Sequence, residues 1–214
     1  MSEAARASLA RLTVAADVAA WRAAGFEVGE DGAAAIGEVT VMLAGRDAGR
    51  RIVSWSLRDV SSMELDGLPT EGTSAALLAQ AAAAHPNGAE RIDHVVAFSP
   101  HLERTIDALR AAGLDFRRLR EGPTPAGAQR QAFFRVGETI LEVVEHPPGT
   151  TAAEKRDAAA AFYGLALATA DLDATARTLG PLLGDVRDAV QPGRRIATVR
   201  REAGLGLPVA FMST

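Results

Sequence analysis

Short runs of β-forming residues alternate with one amphipathic stretch between residues 92 and 146. The run over 92–98 (IDHVVAF) is typical of a buried strand. Leu102, Ile106 and Leu109 then recur at helical spacing. Ser99-Pro100 favours a helix start, and Gly113 favours a helix end. The predicted order is β-α-β-β-β: a strand over 92–98, a helix over 101–112, strands over 115–120, 130–136 and 139–145, and a loop over 121–128.

A similar pattern recurs about 70 residues later. The segments SPHLERTIDAL and TADLDATARTL superpose, which pairs Leu102 with Leu172. The second copy is predicted to contain a strand over 162–168, a helix over 171–183, and strands over 185–190, 195–200 and 207–212. A repeated supersecondary unit of this kind indicates paired modules that share a core.

A weaker third copy lies near the start of the chain. Its predicted elements are a helix over 18–24 and strands over 12–16, 26–29, 38–43 and 52–57. An Ala/Leu helix over 73–84 follows, and it ends before a turn at residues 85–88. We therefore predict two domains: residues 1–86 as a degenerate unit with a linker helix, and residues 87–214 as a paired module.

The repeated order, the first strand I-D-H-V-V and the closing strand I-L-E-V-V-E-H-P resemble the vicinal oxygen chelate superfamily, which contains glyoxalases, bleomycin resistance proteins and extradiol dioxygenases. The resemblance implies an α+β fold in which paired units curl their mixed sheets into a cup. It also implies a divalent metal (Fe, Mn, Zn, Ni or Co) held by residues of the first and last strands. In this chain His94 and Glu142 occupy those positions.

Strand alternation predicts that Ile92, His94 and Phe98 share a face, and that Glu142 points into the same cup. Two readings stay open: His94 and Glu142 are metal ligands, or they form a hydrogen-bonded polar pair that lines a pocket. The second copy has Gly164 in place of His94 and no ligand over 207–212. Three protein ligands are the usual minimum for a catalytic metal. A third would have to come from one of a few sources: His101, His146, Glu145 or a second subunit.

Other candidates follow from the basic strand over 115–120. If Leu119 packs on the helix, Arg118 and Arg120 face the cup. The predicted substrate-binding residues are Phe98, Arg118, Arg120, Arg130 and Phe134. Guanidinium groups beside aromatic rings favour an anionic or planar ligand. The alternative is a solvated outer face. Glu142, Glu145 and Tyr163 are the candidates for proton transfer.

Composition excludes some chemistry. The absence of cysteine rules out disulfides, thiolate catalysis and zinc–thiolate sites. A net charge of −4 gives no reason to expect nucleic acid. No apolar run is long enough to span a membrane, and the N-terminus lacks a signal-type apolar core. We therefore expect a cytoplasmic protein without a membrane partner.

The functional expectation is a glyoxalase-like protein, either a metal-dependent lyase, isomerase or dioxygenase acting on a small oxygenated substrate, or a metal-free protein that binds a small molecule in the same cup. A purely structural role would require the cup to be filled by its own side chains. A homodimer is also expected, because the resemblance implies units that pair between chains.

Overall fold

The computed structural model describes residues 6–73, 83–124, 127–147 and 149–214. Within them the strands form two mixed sheets. The first sheet contains β1 (Ser8–Val14), β2 (Ala33–Ile36), β3 (Val39–Leu43), β4 (Ile52–Arg58) and β5 (Thr70–Gly72). The second contains β6 (Arg91–Ser99), β7 (Asp115–Thr124), β8 (Gly127–Val136), β9 (Thr139–Glu145), β10 (Ala161–Thr169), β11 (Arg187–Asp188), β12 (Arg195–Thr198) and β13 (Val209–Ser213). The α-helices are α1 (Val18–Ala23), α2 (Leu102–Ala111), α3 (Thr151–Glu154) and α4 (Leu172–Leu179).

The eight-stranded sheet has the order β11-β12-β13-β10-β6-β9-β8-β7. Its two halves are β-α-β-β-β units that lie edge to edge, and β6 pairs antiparallel with β10 at the centre. In each unit the first strand is parallel to the last, β6 to β9 and β10 to β13. This arrangement confirms the predicted α+β fold with repeated units and curled mixed sheets.

The 70-residue repeat is also visible in side-chain detail. The hydroxyls of Ser99 and Thr105 lie 2.6 Å apart in one unit, and those of Thr169 and Thr175 lie 3.1 Å apart in the other. Each pair ties the end of a first strand to the helix that follows it. The apolar residues that anchor the two helices repeat as well: Leu102 and Leu109 in α2, Leu172 and Leu179 in α4. The predicted superposition is therefore confirmed.

The five-stranded sheet has the order β2-β3-β1-β4-β5. Its pairings match those of the central strands β8-β9-β6-β10-β13, since β1 is parallel to β3, antiparallel to β4, and β4 is parallel to β5. The prediction that residues 52–57 close the first copy is wrong, because the closing strand must be parallel to β1 and β3 fills that place. Instead β4 opens a further, truncated unit. Residues 26–29 form no strand.

Other local predictions change as well. The helix predicted over 171–183 ends at Leu179, and the strand predicted over 185–190 is limited to Arg187–Asp188. The segment predicted as a loop over 121–128 extends β7 to Thr124 and begins β8 at Gly127, with residues 125–126 outside the described residues. Helix α2 begins at Leu102 rather than at His101, because the ring of His101 caps it by accepting a hydrogen bond from the Arg104 amide at 3.3 Å. Most of the helix predicted over 73–84 lies outside the described residues.

The five-stranded sheet packs on the face of the larger sheet that also carries α2 and α4. The Trp55 ring meets the Phe162 ring edge-on at 5.1 Å, and the Trp21 indole donates to the Leu205 carbonyl at 3.1 Å. Apolar residues of both sheets join in one core, so the domain boundary near residue 86 stays a prediction. No helix within the described ranges is long and apolar enough to cross a membrane.

Candidate functional site

The face of the eight-stranded sheet opposite the helices carries the candidate residues, and we call it the cup face. Strand register defines it, because residues paired across neighbouring strands share a face. Its residues in one unit are His94, Val96 and Phe98 on β6, Ile140, Glu142 and Val144 on β9, Gln131 and Phe133 on β8, and Arg118 and Arg120 on β7. Most of these side chains are partly exposed, so the face is accessible.

A β-bulge sets the position of His94. Between Ala166 and Leu167 of β10 the register advances by two residues on β6, from His94 to Ile92. The extra residue is Asp93, so the alternation is broken there. Ile92 is therefore buried in the core with Val95, and the prediction that Ile92 and His94 share a face is wrong.

Asp93 holds the His94 ring in one orientation. An Asp93 oxygen lies 2.9 Å from Nδ1 of His94, and the other carboxylate oxygen accepts a hydrogen bond from Arg194 at 2.8 Å. Burial alone would raise the pKa of Asp93, but hydrogen bonds from His94 and Arg194 and their charges together hold it well below its usual range. An ionised carboxylate can only accept, so Nδ1 carries the proton and Nε2 faces away from Asp93.

The Nε2 atom of His94 lies 3.8 Å from a carboxyl oxygen of Glu142. The Glu142 side chain is 17% exposed. Burial raises the pKa of this carboxyl above its ordinary value, and the charges of His94, Arg120 and Arg118 offset only part of the rise. The predicted proximity of His94 and Glu142 is thus present, and their separation exceeds a direct hydrogen bond.

The arginines divide between the two faces. Arg118 lies on the cup face with its guanidinium 4.9 Å from the centre of the Phe133 ring. Arg120 lies on the same face, because it is opposite Gln131 in the β7–β8 register. Within the described residues neither arginine forms a hydrogen bond or an ion pair with a carboxylate.

Three predicted site residues lie on the other face. Phe134 is fully buried and packs edge-on against Phe116 at 5.3 Å. Arg130 forms ion pairs with Glu103 of α2 and with Glu145. A hydrogen bond from Arg130 lowers the pKa of Glu103. The expectation that Phe134 and Arg130 line the cup is not met, because the β8–β9 register pairs Phe134 with the buried Leu141, so even-numbered residues of β8 point to the helices. Glu145, a candidate for proton transfer, lies on that same side beside Arg130.

An aromatic cluster closes one end of the cup face. The Phe98 ring stacks on His146 at 5.0 Å and meets Tyr163 edge-on at 5.0 Å. Tyr163 is 36% exposed, and the Arg51 guanidinium lies over its ring at 4.7 Å. Burial lowers the pKa of His146, which favours the neutral ring. Phe98 and Tyr163 therefore lie together, at the edge of the site.

The potential metal donors on the cup face are few. His94 and Glu142 converge, and a carboxylate on the second ring nitrogen is typical of ligating histidines. Among the residues that the structure describes, however, no group of three His, Asp or Glu side chains could hold a metal ion. The paired unit contributes Ala166, Ala210 and Met212 at the facing positions. Two donors fall short of the usual three, so these residues alone do not fit a catalytic metal.

Gly164 explains why the paired unit offers no ligand. A Cβ atom built at Gly164 would overlap the carbonyl oxygen of Pro208. The Leu165 amide donates to that same oxygen at 3.1 Å, which fixes the close approach. No side chain, and hence no ligand, fits at this position without moving β13.

The family model described as the Glyoxalase/Bleomycin resistance protein/Dioxygenase superfamily matches residues 91–198, slightly more than half of the 214 residues. The chain belongs to this superfamily. No curated protein matches the sequence.

Solved structures of similar shape include a methylmalonyl-CoA epimerase from Mycobacterium tuberculosis, with 18% identity and a TM-score of 0.47 over 59% of this chain and 89% of that one. A methylmalonyl-CoA epimerase from Streptomyces coelicolor, in complex with 2-nitronate-propionyl-CoA, has 22% identity and a TM-score of 0.46 over 58% and 96%. A hypothetical protein from Bacillus halodurans has 14% identity and a TM-score of 0.47 over 58% and 94%. These identities and TM-scores describe a similarity in shape and are no evidence of a shared activity.

Sequence reasoning missed three residues of the site. Asp93 and Arg194 come together only because of the bulge and the edge-to-edge pairing of the units, and they are 101 residues apart in the chain. Phe133 replaces Phe134 on the cup face. Only Phe133 had a signal in the sequence, the alternation of side chains in the strand that pairs with β9. In the structure Phe133 lies directly opposite Glu142.

Proposed function

We propose that the cup face binds a small anionic molecule with a planar or aromatic part, and that His94 and Glu142 contact it as an acid–base pair without a resident metal. The observation that carries the proposal is that two arginine side chains and a carboxyl group share one accessible face. Arg118 and Arg120 form no ion pair with a carboxylate among the described residues, and they lie on the same face as the largely buried Glu142 carboxyl. Guanidinium groups of this kind bind carboxylates with two parallel hydrogen bonds.

The acid–base pair has the electrostatic features of a functional site. The raised pKa of Glu142 increases the protonated fraction near neutral pH, so this carboxyl could donate a proton to a ligand. Asp93 fixes the ring of His94 so that Nε2 is directed to the same place. Perturbed carboxyls in a cleft are candidates for function on physical grounds.

Ligand binding can be tested by calorimetry in chelator-treated buffer, with benzoate as the anionic probe and benzamide as its neutral counterpart. The Arg118→Gln/Arg120→Gln variant should bind benzoate at least about tenfold more weakly, because a charge-assisted contact is lost. Arg117→Gln is the matched control, since Arg117 pairs with Asp115. Equal affinity for benzoate and benzamide, or no binding of either, would contradict the proposal.

A second candidate function is metal-dependent lyase, isomerase or dioxygenase chemistry, as the superfamily implies. The observation that favours it is the Asp93–His94–Glu142 alignment. The missing donor would come from the bound molecule or from a second copy in the expected homodimer. Elemental analysis of protein purified without affinity metal, repeated on His94→Ala and Glu142→Ala, tests it. A stoichiometric metal lost in both variants would favour this candidate, and sedimentation would report the dimer.

A further inference from the structure

A second concave region is formed by segments that connect strands of the two sheets. We call it the arginine cleft. It has a volume of about 720 Å³ and is lined by segments from both halves of the chain: residues 15, 46 and 49–51 on one side, and residues 198–201 and 204–208 on the other. The volume lies within the range of small-molecule sites in proteins.

The charge of the cleft is of one sign. Five of its fourteen lining residues are arginines and none is acidic: Arg46, Arg50, Arg51, Arg200 and Arg201. This concentration stands out in a chain whose net charge is −4. Several cations around one concavity repel each other, and a cleft lined by one sign of charge concentrates counter-ions.

Most of this charge is not neutralised within the protein. Arg46 forms an ion pair with Asp17. Arg200 donates to the Leu183 carbonyl at 3.2 Å, which leaves its charge without a counter-ion. In the part of the chain that the structure describes, the side chains of Arg50 and Arg201 form no hydrogen bond or ion pair.

The walls of the cleft are held in place before any ligand binds. The Trp21 indole, from the N-terminal half of the chain, donates a hydrogen bond to the carbonyl of Leu205, which lines the other side of the cleft. Gly206 has a φ of 79°, and a Cβ atom there would overlap the Ala15 carbonyl, so the two walls meet backbone to backbone. Arg51 is held at a φ of 57° with its guanidinium against the Tyr163 ring. A site with fixed walls loses little entropy when a ligand binds.

We propose that the arginine cleft binds a small molecule that carries phosphate groups with several negative charges, such as a diphosphate. Arginine suits this chemistry because its planar fork matches phosphate oxygens. A single carboxylate would leave most of the guanidinium groups unpaired. The cleft adjoins the cup face where Arg51 lies over the Tyr163 ring, but its lining does not include His94, Glu142, Arg118 or Arg120.

Inorganic pyrophosphate is the probe, measured by calorimetry and by phosphorus NMR on the full chain. We expect saturable binding that weakens as salt is raised. The Arg50→Gln/Arg201→Gln variant should bind at least about tenfold more weakly, since two charge-assisted contacts are removed. Two exposed arginines outside the cleft give the matched control, Arg117→Gln/Arg177→Gln, which carries the same charge change and should bind as the wild type does.

Two further arms make the result decisive. Arg118→Gln/Arg120→Gln should leave pyrophosphate binding unchanged, because those residues lie on the cup face, and a loss there would assign the anion to the cup instead. Citrate carries several negative charges but no phosphate group, so it tests whether charge alone explains the binding. Equal affinities for citrate and pyrophosphate would overturn the phosphate assignment. Equal binding by the cleft variant and the control variant, or no binding of pyrophosphate at millimolar concentrations, would overturn the site. Thermal unfolding of each variant checks that it folds.

Discussion

The Asp93 carboxylate and the His94 ring, neighbours in the chain, are hydrogen-bonded side chain to side chain at 2.9 Å, where a β-bulge at Asp93 interrupts the alternation of side chains along β6. Regular strand geometry would send consecutive residues to opposite faces. The bulge therefore creates the pair, and the paired unit completes it through Arg194. The orientation of His94 toward Glu142 depends on this contact.

Replacing Asp93 by Asn should destabilise the protein at neutral pH. The Asp93 side chain is 12% exposed, and its loss as an anion leaves Arg194 partly buried without its charge partner, at a cost of about 1–3 kcal/mol. The pKa of Asp93 is lower in the folded protein than in the unfolded chain. The stabilisation is therefore fully present above the unfolded pKa of about 3.9 and is lost as pH falls toward the folded pKa.

Urea unfolding of wild type and Asp93→Asn across this range measures the effect. The gap in unfolding free energy should be constant from neutral pH to about pH 5 and should shrink below about pH 4. Asp115→Asn, which breaks the exposed pair with Arg117, is the control and should cost about 0–1 kcal/mol. A gap independent of pH throughout the acid range would show that Asp93 does not act as an anion.

Replacing Glu142 by Gln should have the opposite pH dependence. The pKa of Glu142 is raised by burial, so its folded pKa exceeds the unfolded one. Its contribution to stability is present below the unfolded pKa and is lost as pH rises through the folded pKa. Above that window Glu142→Gln should be as stable as wild type or more stable by up to about 1 kcal/mol, because no buried charge has to form.

The measurement for Glu142 is the difference in unfolding free energy between variant and wild type, at pH values on either side of the window. We expect the unfolding free energy of the variant to rise relative to that of wild type as pH rises. Glu121→Gln is a suitable control, since Glu121 is 68% exposed. A difference that moves in favour of wild type would mean that the charges of His94 and the arginines outweigh burial.

The repeated unit was predictable because the same pattern of apolar and hydroxyl residues recurs about 70 residues later in the chain. Leu102 and Leu172 sit at equivalent positions, and the hydroxyl pairs at Ser99 and Thr169 follow the same offset. The five-stranded sheet was harder to predict. Its second unit is reduced to β4 and β5, and only the antiparallel pairing of β4 with β1 distinguishes an opening strand from a closing one.

The site was predictable only where strand alternation is regular. His94, Glu142, Arg118 and Arg120 were assigned to one face, and they lie there. Arg130 and Phe134 were assigned to the cup and lie on the other face, because the pairing register of β8 with β9 is not encoded in local propensity. Glu145, a candidate for proton transfer, also lies on that other face. Asp93 needed a contact with Arg194 across two units, which no local pattern contains.

Replacing Gly164 by Ala should be strongly destabilising. The added Cβ atom meets the Pro208 carbonyl oxygen, which already accepts the Leu165 amide. Overpacking of this kind costs about 1–3 kcal/mol. Because the rigid partner is backbone, β13 would have to shift. Denaturant unfolding measures the cost.

Gly122→Ala is the matched control, because Gly122 also lies in a strand and the nearest atom to its added Cβ is the end of the Arg120 side chain at 3.9 Å. Its stability should change by less than about 0.5 kcal/mol. If Gly164→Ala were as stable as Gly122→Ala, the close approach of β10 and β13 would be incorrect, and the explanation for the missing ligand would fail with it.

Replacing Trp55 by Ala tests whether the two sheets unfold as one. Trp55 is 1% exposed, contacts Phe162 of the other sheet, and donates its indole hydrogen to Thr70 at 2.9 Å. Its removal should lower the unfolding free energy by about 3–5 kcal/mol. Trp55→Phe should cost less, because an aromatic ring stays in the core and the loss is limited to the hydrogen bond and part of the buried ring volume. Hydrogen exchange separates local from global effects, because a shared core requires that protection fall in β10 and β6 as well as in β4. Loss of protection confined to the five-stranded sheet would mean that the eight-stranded sheet is stable by itself.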